Sequence, residues 1–254
     1  MAIKGILFDI GGVLYVGDAP IDGARELILE LKKDYKLRFL TNTTRKPPKM
    51  LYQKLKSMGF EIEADEIFTA LEAAKRVVQS ANAKAVTILT EEAEKFFGEF
   101  HCIDTKSEFV VVGDAGENFN YTRLNRAFRT LINGATLIAA AKNRYFKDSD
   151  GELSMDAGGF VRALEYASGV EAKVVGKPSR EFFDLAVESM GLENKDVIMV
   201  GDDIESDIAG AIAAGIKTVL VKSGKFREED LQKEIKPDFI IETVANLREV
   251  LSQL

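Results

Sequence analysis

The stretch that decides the fold is Lys4–Leu14, which reads KGILFDIGGVL. Residues 6–8 are apolar and favour a strand that is buried on both faces, as in a parallel sheet. Asp9 follows at the carboxyl end of that strand, which is the edge where open α/β sheets bind their ligands. Gly11 and Gly12 come next, and glycine lets the backbone approach a ligand closely. A strand that leaves through Asp-x-Gly-Gly is often only a turn, so the rest of the chain has to decide whether this is a site.

Composition excludes several classes of function. The chain has 254 residues, a net charge of −7, 46% hydrophobic residues and a single cysteine, Cys102, so no disulfide can form within it. The acidic balance argues against a general nucleic-acid-binding surface. No apolar stretch approaches the ~20 residues that span a bilayer, so we expect no membrane association. The first residues lack the basic and apolar pattern of a signal peptide, and we therefore expect a cytoplasmic location.

Strand and helix patterns alternate along most of the chain. Residues 1–80 read as βαβαβα, which predicts a parallel sheet with right-handed crossovers. Residues 81–170 read as a second α/β unit inserted into the first, and the original alternation resumes over residues 171–254. We therefore predict an α/β fold with a doubly wound parallel sheet built from residues 1–80 and 171–254, with residues 81–170 as an inserted domain.

Polar clusters follow, or lie beside, the predicted core strands. They are Asp9, Thr41-Asn42, Lys177 and the run Asp202-Asp203-Ile204-Glu205-Ser206-Asp207. Because parallel strands place their carboxyl ends on one edge of the sheet, these groups can converge although they are far apart in sequence. Close carboxylates repel one another unless a cation holds them, and hard oxygen ligands of this kind suit Mg²⁺.

A carboxylate, a lysine, a hydroxyl and Mg²⁺ are sufficient for phosphoryl transfer through a phospho-aspartate. Asp9 would attack phosphorus, Lys177 and Mg²⁺ would balance the charge on the equatorial oxygens, and Thr41 with backbone N–H groups would orient them. Each group alone also has a structural explanation, because Thr41 can cap a turn, Lys177 can be a solvated surface lysine, and residues 202–207 can begin a helix. Their occurrence together, in this order, favours catalysis.

Four motifs in this order carry a family resemblance, namely FDIGGVL, FLTN, GKP and GDDIESD. With them the chain resembles the haloacid dehalogenase superfamily of aspartyl-phosphate phosphatases. The middle region, with VVVGDAGENFNY and GGFVRALEYASGVEAKVVGKPSREFF, resembles the subgroup with a large α/β cap, and within it the branch that includes phosphatases for phospholysine, phosphohistidine and pyrophosphate. The resemblance covers essentially the whole chain. It implies a Rossmann-like core, a cap domain that closes over the site, Mg²⁺ and a small phosphorylated substrate. Caps of this type often form dimer contacts in the family, so the resemblance also implies a homodimer through the cap.

The resemblance also implies a role for each matching residue. Asp9 becomes the nucleophile and a metal ligand, and the backbone carbonyl of Gly11 and the carboxylate of Asp202 complete the ligands that the protein gives to Mg²⁺. Asp203 and Asp207 match acidic positions that support the metal from outside its ligand set. The implied phosphate and substrate contacts are Gly11, Gly12, Thr41, Asn42 and Lys177.

One position departs from the superfamily pattern. Most of its phosphatases carry a second aspartate two residues after the nucleophile, which protonates the leaving group and then activates water, whereas Gly11 stands here. General acid–base help is typically worth ~100- to 10,000-fold, so alkyl phosphates should be poor substrates. Phosphoramidates, pyrophosphate and aryl phosphates can leave without that proton and should suffer less. The branch named above has a small residue, serine, at this place, which agrees.

The group that activates water against phospho-Asp9 stays open. A cap residue such as Asp156 and bulk water are both candidates. The turn at residues 155–159 aligns with the substrate-facing loop of related caps, and the alternative is a simple helix-entry turn.

Other classes of protein share parts of this pattern. A response-regulator receiver uses the same residue types, but its acidic pair comes early and its lysine late, whereas here the acidic cluster follows Lys177. A metal-free dehalogenase would not need the pair Asp202-Asp203. The remaining alternative is a non-catalytic relative that binds Mg²⁺ and a phosphorylated ligand or a protein partner, and Gly11 is the residue that supports it.

Overall fold

The computed structural model describes residues 3–147 and 152–254. In chain order, the strands are β1 (Gly5–Asp9), β2 (Tyr15–Val16), β3 (Ala19–Pro20), β4 (Lys36–Thr41), β5 (Ile67–Thr69), β6 (Ala85–Ile88), β7 (His101–Cys102), β8 (Phe109–Val112), β9 (Thr136–Ala139), β10 (Tyr145–Lys147), β11 (Leu153–Met155), β12 (Lys173–Val174), β13 (Val197–Gly201), β14 (Lys217–Val221) and β15 (Phe239–Ile241).

The α-helices are α1 (Ala24–Leu31), α2 (Pro48–Ser57), α3 (Ala70–Ser80), α4 (Glu91–Phe97), α5 (Tyr121–Ile132), α6 (Ala157–Ser168), α7 (Arg180–Glu188), α8 (Gly210–Ala213) and α9 (Leu247–Leu251). A π-helical turn, Ile204–Ala209, leads into α8. Short 3₁₀ turns cover Ala64–Glu66, Gly98–Phe100, Gly116–Asn118, Asn194–Asp196, Glu228–Gln232 and Val244–Asn246. None of the helices in the described parts of the chain has both the length and the apolar character that crossing a membrane requires.

The chain forms two compact units. The first consists of Met1–Thr41, Pro48–Phe68 and Lys177–Leu254. The second consists of Asn42–Pro47 and Thr69–Gly176. The predicted division into residues 1–80, 81–170 and 171–254 stays a prediction.

The first unit is built on a six-stranded sheet with the order β15-β14-β13-β1-β4-β5. Strand β1 pairs in parallel with β13 on one side and with β4 on the other. The chain runs outward from β1 through β4 to β5 and later from β13 through β14 to β15, so the order reverses between β1 and β13. Every residue of these two strands is buried, as the apolar run at residues 6–8 predicts for a central strand. Ligands of doubly wound sheets bind at such a reversal.

Apolar stripes on the helices close the core of the first unit. Helix α1 buries Ala24, Leu27, Ile28 and Leu31, which recur at helical spacing. Leu27 and Ile28 join one hydrophobic cluster with Phe8 and Phe39 from the sheet. The rings of Phe8 and Phe39 stack with their centroids 5.9 Å apart, which fixes β1 against β4.

The second unit has its own five-stranded sheet, with the order β12-β9-β8-β6-β7. Its strand pairs are parallel. Strands β10 and β11 form a separate antiparallel pair. The sequence pattern returns to the first sheet at Val174, but in the structure Lys173 and Val174 pair with Ile138 and Ala139 of the second sheet. Val174 and Val175 form too short an apolar pattern to show which sheet they join. In the structure, Lys177 follows β12, which is an edge strand of the second sheet.

Candidate active site

Three buried carboxylates meet at the point where the strand order reverses. Asp9 ends β1 and Asp202 directly follows β13, and the two strands lie side by side with Phe8 opposite Val200. One carboxylate oxygen from each of Asp9, Asp202 and Asp207 lies within 4.8 Å of the other two. Asp202 and Asp207 are each only 1% exposed. Negative charge is therefore concentrated where a doubly wound sheet binds its ligand.

Lys177 bridges two of these carboxylates. Its ammonium donates to Asp9 Oδ1 and, at 2.7 Å, to Asp207 Oδ1. Burial acts to lower the pKa of Lys177, but the charges of Asp207 and Asp9 outweigh it and raise that pKa above its ordinary value. Lys177 therefore carries a positive charge inside the cluster.

One of the two carboxylate oxygens of Asp202 accepts a hydrogen bond, and the other does not. Its Oδ2 accepts a hydrogen bond of 2.6 Å from the backbone N–H of Lys225. Its Oδ1 is buried and has no hydrogen-bond partner among the described residues. Burial, together with the charges of Asp9 and Asp207, raises the pKa of Asp202 to about 7. A buried oxygen without a donor, inside a carboxylate cluster, fits a divalent cation with a preference for oxygen ligands.

Asp207 and Asp203 have their carboxylate oxygens occupied by hydrogen bonds. Asp207 accepts from Lys177 through Oδ1 and from the backbone N–H of Asp203 through Oδ2, at 3.2 Å. Burial raises the pKa of Asp207, against the opposing effect of Lys177. Asp203 Oδ1 caps the π-helical turn by accepting from the backbone N–H groups of Glu205 and Ser206, at 3.1 and 3.0 Å. Asp207 therefore positions Lys177, and Asp203 stabilises the beginning of the π-helical turn.

The two glycines at positions 11 and 12 differ in their surroundings. Gly12 has a φ of 87°, and a Cβ on it would overlap Asp202 Oδ2. Gly224, with a φ of 64°, would overlap the same oxygen and the backbone of Gly12. Both positions therefore require glycine. Gly11 is exposed, and a Cβ built on it meets nothing within 4 Å, so a side chain has room there.

The structure adds a loop that the sequence analysis missed, residues 222–225 after β14. Ser223 Oγ donates to the carbonyl oxygen of Gly12 at 2.6 Å, and the backbone of Lys225 holds Asp202. The Lys225 ammonium lies 3.2 Å from Asp203 Oδ2. Burial acts to lower the pKa of Lys225, but Asp203, Asp9 and Asp202 together raise it. The signal was available, because the polar run Lys-Ser-Gly-Lys follows an apolar strand whose carboxyl end lies on the same edge of the sheet.

The remaining predicted residues are distributed over both units. Thr41 is the last residue of β4 and follows Leu40, the register partner of Asp9. Asn42 and Asp156 belong to the second unit. Asp156 is buried and caps α6, with its Oδ1 accepting from the backbone N–H of Ala157 at 2.6 Å. In the first unit the structure thus gathers Asp9, Gly12, Lys177, Asp202, Asp203 and Asp207.

The fold and this arrangement define a class of protein. Residues 6–102 match a family described as haloacid dehalogenase-like hydrolase, and residues 174–247 match one described as HAD-hydrolase-like. The chain is 41% identical over 233 residues to haloacid dehalogenase-like hydrolase domain-containing protein 2 of Bos taurus, covering 91% of this chain and 89% of that one. The chain belongs to the haloacid dehalogenase-like hydrolases, and the predicted family is confirmed.

Two further relatives are named as phosphatases. Phospholysine phosphohistidine inorganic pyrophosphate phosphatase of Rattus norvegicus is 38% identical over 260 residues, covering 99% of this chain and 95% of that one. The solved structure of a p-nitrophenyl phosphatase from Archaeoglobus fulgidus matches with a TM-score of 0.89 and 31% identity, covering 98% of this chain and 100% of that one. This match confirms the predicted α/β fold with a cap domain.

Proposed function

We propose that this protein is a Mg²⁺-dependent phosphatase that works through a phospho-aspartate on Asp9. The observation that carries the proposal is the buried Oδ1 of Asp202, which has no hydrogen-bond partner among the described residues and lies in a cluster with Asp9. The names of the relatives, which describe phosphatases, support a phosphatase activity.

The reaction takes place in two steps at one carboxylate. Lys177 holds Oδ1 of Asp9, so the other oxygen attacks phosphorus. The bond between phosphorus and the leaving group breaks, and its electron pair departs with the leaving group. Water then attacks the phosphorus of phospho-Asp9, the aspartyl–phosphate bond breaks, and inorganic phosphate and the free carboxylate are formed. The positive charge of Lys177 balances the phosphoryl oxygens in both steps.

Asp9, Asp202 and the backbone carbonyl of Gly11 would hold the metal. When bound, Mg²⁺ supplies charge neutralisation for the transferring phosphoryl group. Asp207 is better suited to position Lys177, because both of its oxygens already accept hydrogen bonds. Asp203 keeps the π-helical turn in place. The phosphate contacts that complete the proposal are Gly12, Thr41 and Asn42.

Gly11 determines the class of substrate in this proposal. Position 11 offers no proton to the leaving group, so the enzyme should favour phosphoramidates, pyrophosphate and aryl phosphates over alkyl phosphates. The name of the rat relative describes substrates of this kind. The capping bond occupies Oδ1 of Asp156 and leaves its second oxygen, so Asp156 and bulk water both stay candidates for activating water in the second step.

The first test compares phosphate release from pyrophosphate, phospholysine, phosphohistidine, 4-nitrophenyl phosphate and a sugar phosphate, with and without Mg²⁺. We expect Mg²⁺-dependent release that favours the first four, and a loss of roughly 1,000-fold or more in Asp9→Asn. The matched control is Asp22→Asn, which changes an exposed aspartate and should keep full activity. Unchanged turnover in Asp9→Asn would reject the nucleophile.

The second test restores a carboxylate at position 11, where the structure leaves room. We expect Gly11→Asp to raise the turnover of the sugar phosphate about 10-fold or more, because it supplies the missing proton. Gly11→Asn is the control, with the same shape and no acid. Equal rates in the two variants would contradict the role given to position 11.

The second candidate function is binding without turnover, of Mg²⁺ and a phosphorylated ligand or a protein partner, and the specific observation in its favour is Gly11. It predicts Mg²⁺-dependent binding of pyrophosphate and no phosphate release from any of the five compounds. A cytoplasmic location and a homodimer through the cap stay predictions.

A further inference from the structure

The loop at residues 222–225 carries a second lysine to the site and is itself held firmly. Ser223 donates to the carbonyl of Gly12, the backbone of Lys225 donates to Asp202, and Gly224 packs against the backbone of Gly12. Gly12 is the neighbour of Gly11, whose surroundings are open. The attachment of the Lys225 side chain is therefore fixed close to the position where the family's usual acid is missing.

Lys225 and Lys177 are placed differently. The Lys177 side chain is 4% exposed and is engaged by two carboxylates, whereas the Lys225 side chain is 71% exposed. The ammonium of Lys225 pairs with one carboxylate, Asp203, whose other oxygen already accepts two backbone hydrogen bonds. An exposed ion pair of this kind contributes little and exchanges easily for another anion. Lys225 can therefore leave Asp203 for a charged ligand.

We propose that Lys225 binds the anionic leaving group of the substrate and makes the enzyme selective for substrates whose leaving group is a phosphate, as in pyrophosphate. This inference rests on the proposed phosphatase function. As the bond from Asp9 to phosphorus forms, the bond from phosphorus to the bridging oxygen breaks, and the electron pair stays on that oxygen of the departing phosphate. Lys225 stabilises the new charge by hydrogen bonding and transfers no proton. Electrostatic stabilisation thus replaces the proton that Gly11 cannot supply.

The test measures kcat/KM for pyrophosphate and for 4-nitrophenyl phosphate, with Mg²⁺, in wild type, Lys225→Gln and Lys225→Arg. We expect Lys225→Gln to lower kcat/KM for pyrophosphate by roughly 10- to 100-fold and for 4-nitrophenyl phosphate by less than about threefold, because only pyrophosphate expels a phosphate. Lys225→Arg should keep most of the pyrophosphate activity. The control is Lys222→Gln in the same loop, whose ammonium pairs with Glu242 at 2.9 Å.

The outcomes separate this inference from the proposed function. Suppose that wild type hydrolyses 4-nitrophenyl phosphate and that Lys225→Gln lowers kcat/KM equally for both substrates or for neither. The leaving-group role of Lys225 is then wrong, while the proposed phosphatase function is retained. If wild type hydrolyses neither compound, the phosphatase is wrong, and calorimetry with Asp9→Asn decides the binding role. Adding Lys225→Gln to Asp9→Asn should weaken the binding of pyrophosphate about 10-fold and leave the affinity for inorganic phosphate unchanged. Equal affinities for pyrophosphate would overturn the proposal.

Discussion

Two regions of the molecule bury carboxylates, and they handle the charge in opposite ways. In the second unit, the Glu165 side chain is 7% exposed. Its Oε1 accepts from the Lys142 ammonium at 2.7 Å and from the Ala172 backbone N–H at 2.9 Å, and its Oε2 accepts from Arg162 at 2.9 Å. Burial acts to raise the pKa of Glu165, but the hydrogen bonds from Lys142, Ala172 and Arg162 lower it to about 2.

The first unit places three carboxylates around one buried lysine. Lys177 contacts Asp9 and Asp207, and Asp202 keeps an oxygen without a hydrogen-bond partner among the residues described. Burial and the neighbouring charges raise the pKa of Asp202 to about 7, in the direction opposite to that of Glu165. A buried carboxylate that is fully supplied with donors stabilises the fold, whereas a cluster short of positive charge indicates a place for a cation.

The largest expected effect comes from removing the positive charge of the cluster. Lys177→Met should lower the free energy of unfolding by about 3–5 kcal/mol without divalent cations, because it leaves Asp9 and Asp207 buried and unpaired. Mg²⁺ should restore part of this loss. Urea unfolding with a chelator and with Mg²⁺ measures both quantities. The matched change in the other region, Lys142→Met, should cost less, about 1–2 kcal/mol, since Glu165 keeps Arg162 and the Ala172 backbone. Equal losses would contradict the contrast between the two regions.

The second prediction removes a negative charge from the same cluster. The pKa of Asp202 is raised to about 7 in the folded protein, so the ionised form of this carboxyl group opposes folding. The penalty grows as the pH rises from the pKa of Asp202 in the unfolded chain towards 7. Asp202→Asn should therefore raise the free energy of unfolding by about 1–3 kcal/mol at roughly pH 8 without metal. The gain should shrink near about pH 5, where the wild-type group is protonated in the native state.

Metal addition completes this second test. Mg²⁺ at roughly pH 8 should stabilise wild type and have little effect on Asp202→Asn, as thermal unfolding at several Mg²⁺ concentrations would show. A variant that is less stable than wild type under metal-free conditions would mean that Asp202 is satisfied by groups of the protein, as Glu165 is.

Much of the site could be predicted from the sequence because strand ends carry positional information. Asp9 and Asp202 each end an apolar run, and parallel strands bring such ends to one edge of the sheet. Asp207 lies within the helical turn that begins after Asp202, so its proximity follows from local geometry. The crossover rules predict right-handed connections between parallel strands, whereas the strand order and the pairing of β1 with β13 come from the structure.

The polar run at residues 222–225 indicates a loop at this edge of the sheet, but it does not specify which backbone contacts the loop makes. Lys225 holds Asp202 through its backbone N–H, which every residue except proline offers. The same difficulty affects α6, in whose sequence the apolar residues Phe160, Leu164 and Ala167 lie at helical spacing. The structure leaves Ala167 exposed and buries Val161, Leu164 and Glu165. From the sequence a glutamate is expected to be exposed to solvent. The burial of Glu165 depends on Lys142, which lies 23 residues away in the chain and donates to it in the structure.

The smallest expected effect tests the satisfied carboxylate. The pKa of Glu165 is lowered to about 2 from its ordinary value of 4.5, so its ion pairs stabilise the fold above the unfolded pKa, and this contribution is lost as pH falls through about 2. Glu165→Gln should therefore lower the free energy of opening of α6 by about 1 kcal/mol near neutral pH, since solvent screens the exposed Arg162 partner. The difference between variant and wild type should shrink as the pH falls from about 4.5 towards 2.

Hydrogen exchange of α6, corrected for intrinsic rates and followed across this pH range, measures the effect locally. Glu171→Gln is the control, because that glutamate is exposed and should give no pH-dependent difference. Mg²⁺ should leave the opening of α6 in Glu165→Gln unchanged, whereas it should stabilise the first unit of the same protein. A Mg²⁺-dependent recovery of α6 would show that Glu165 also lacks charge compensation, and buried carboxylates of the two units would then no longer separate into a structural and a functional kind.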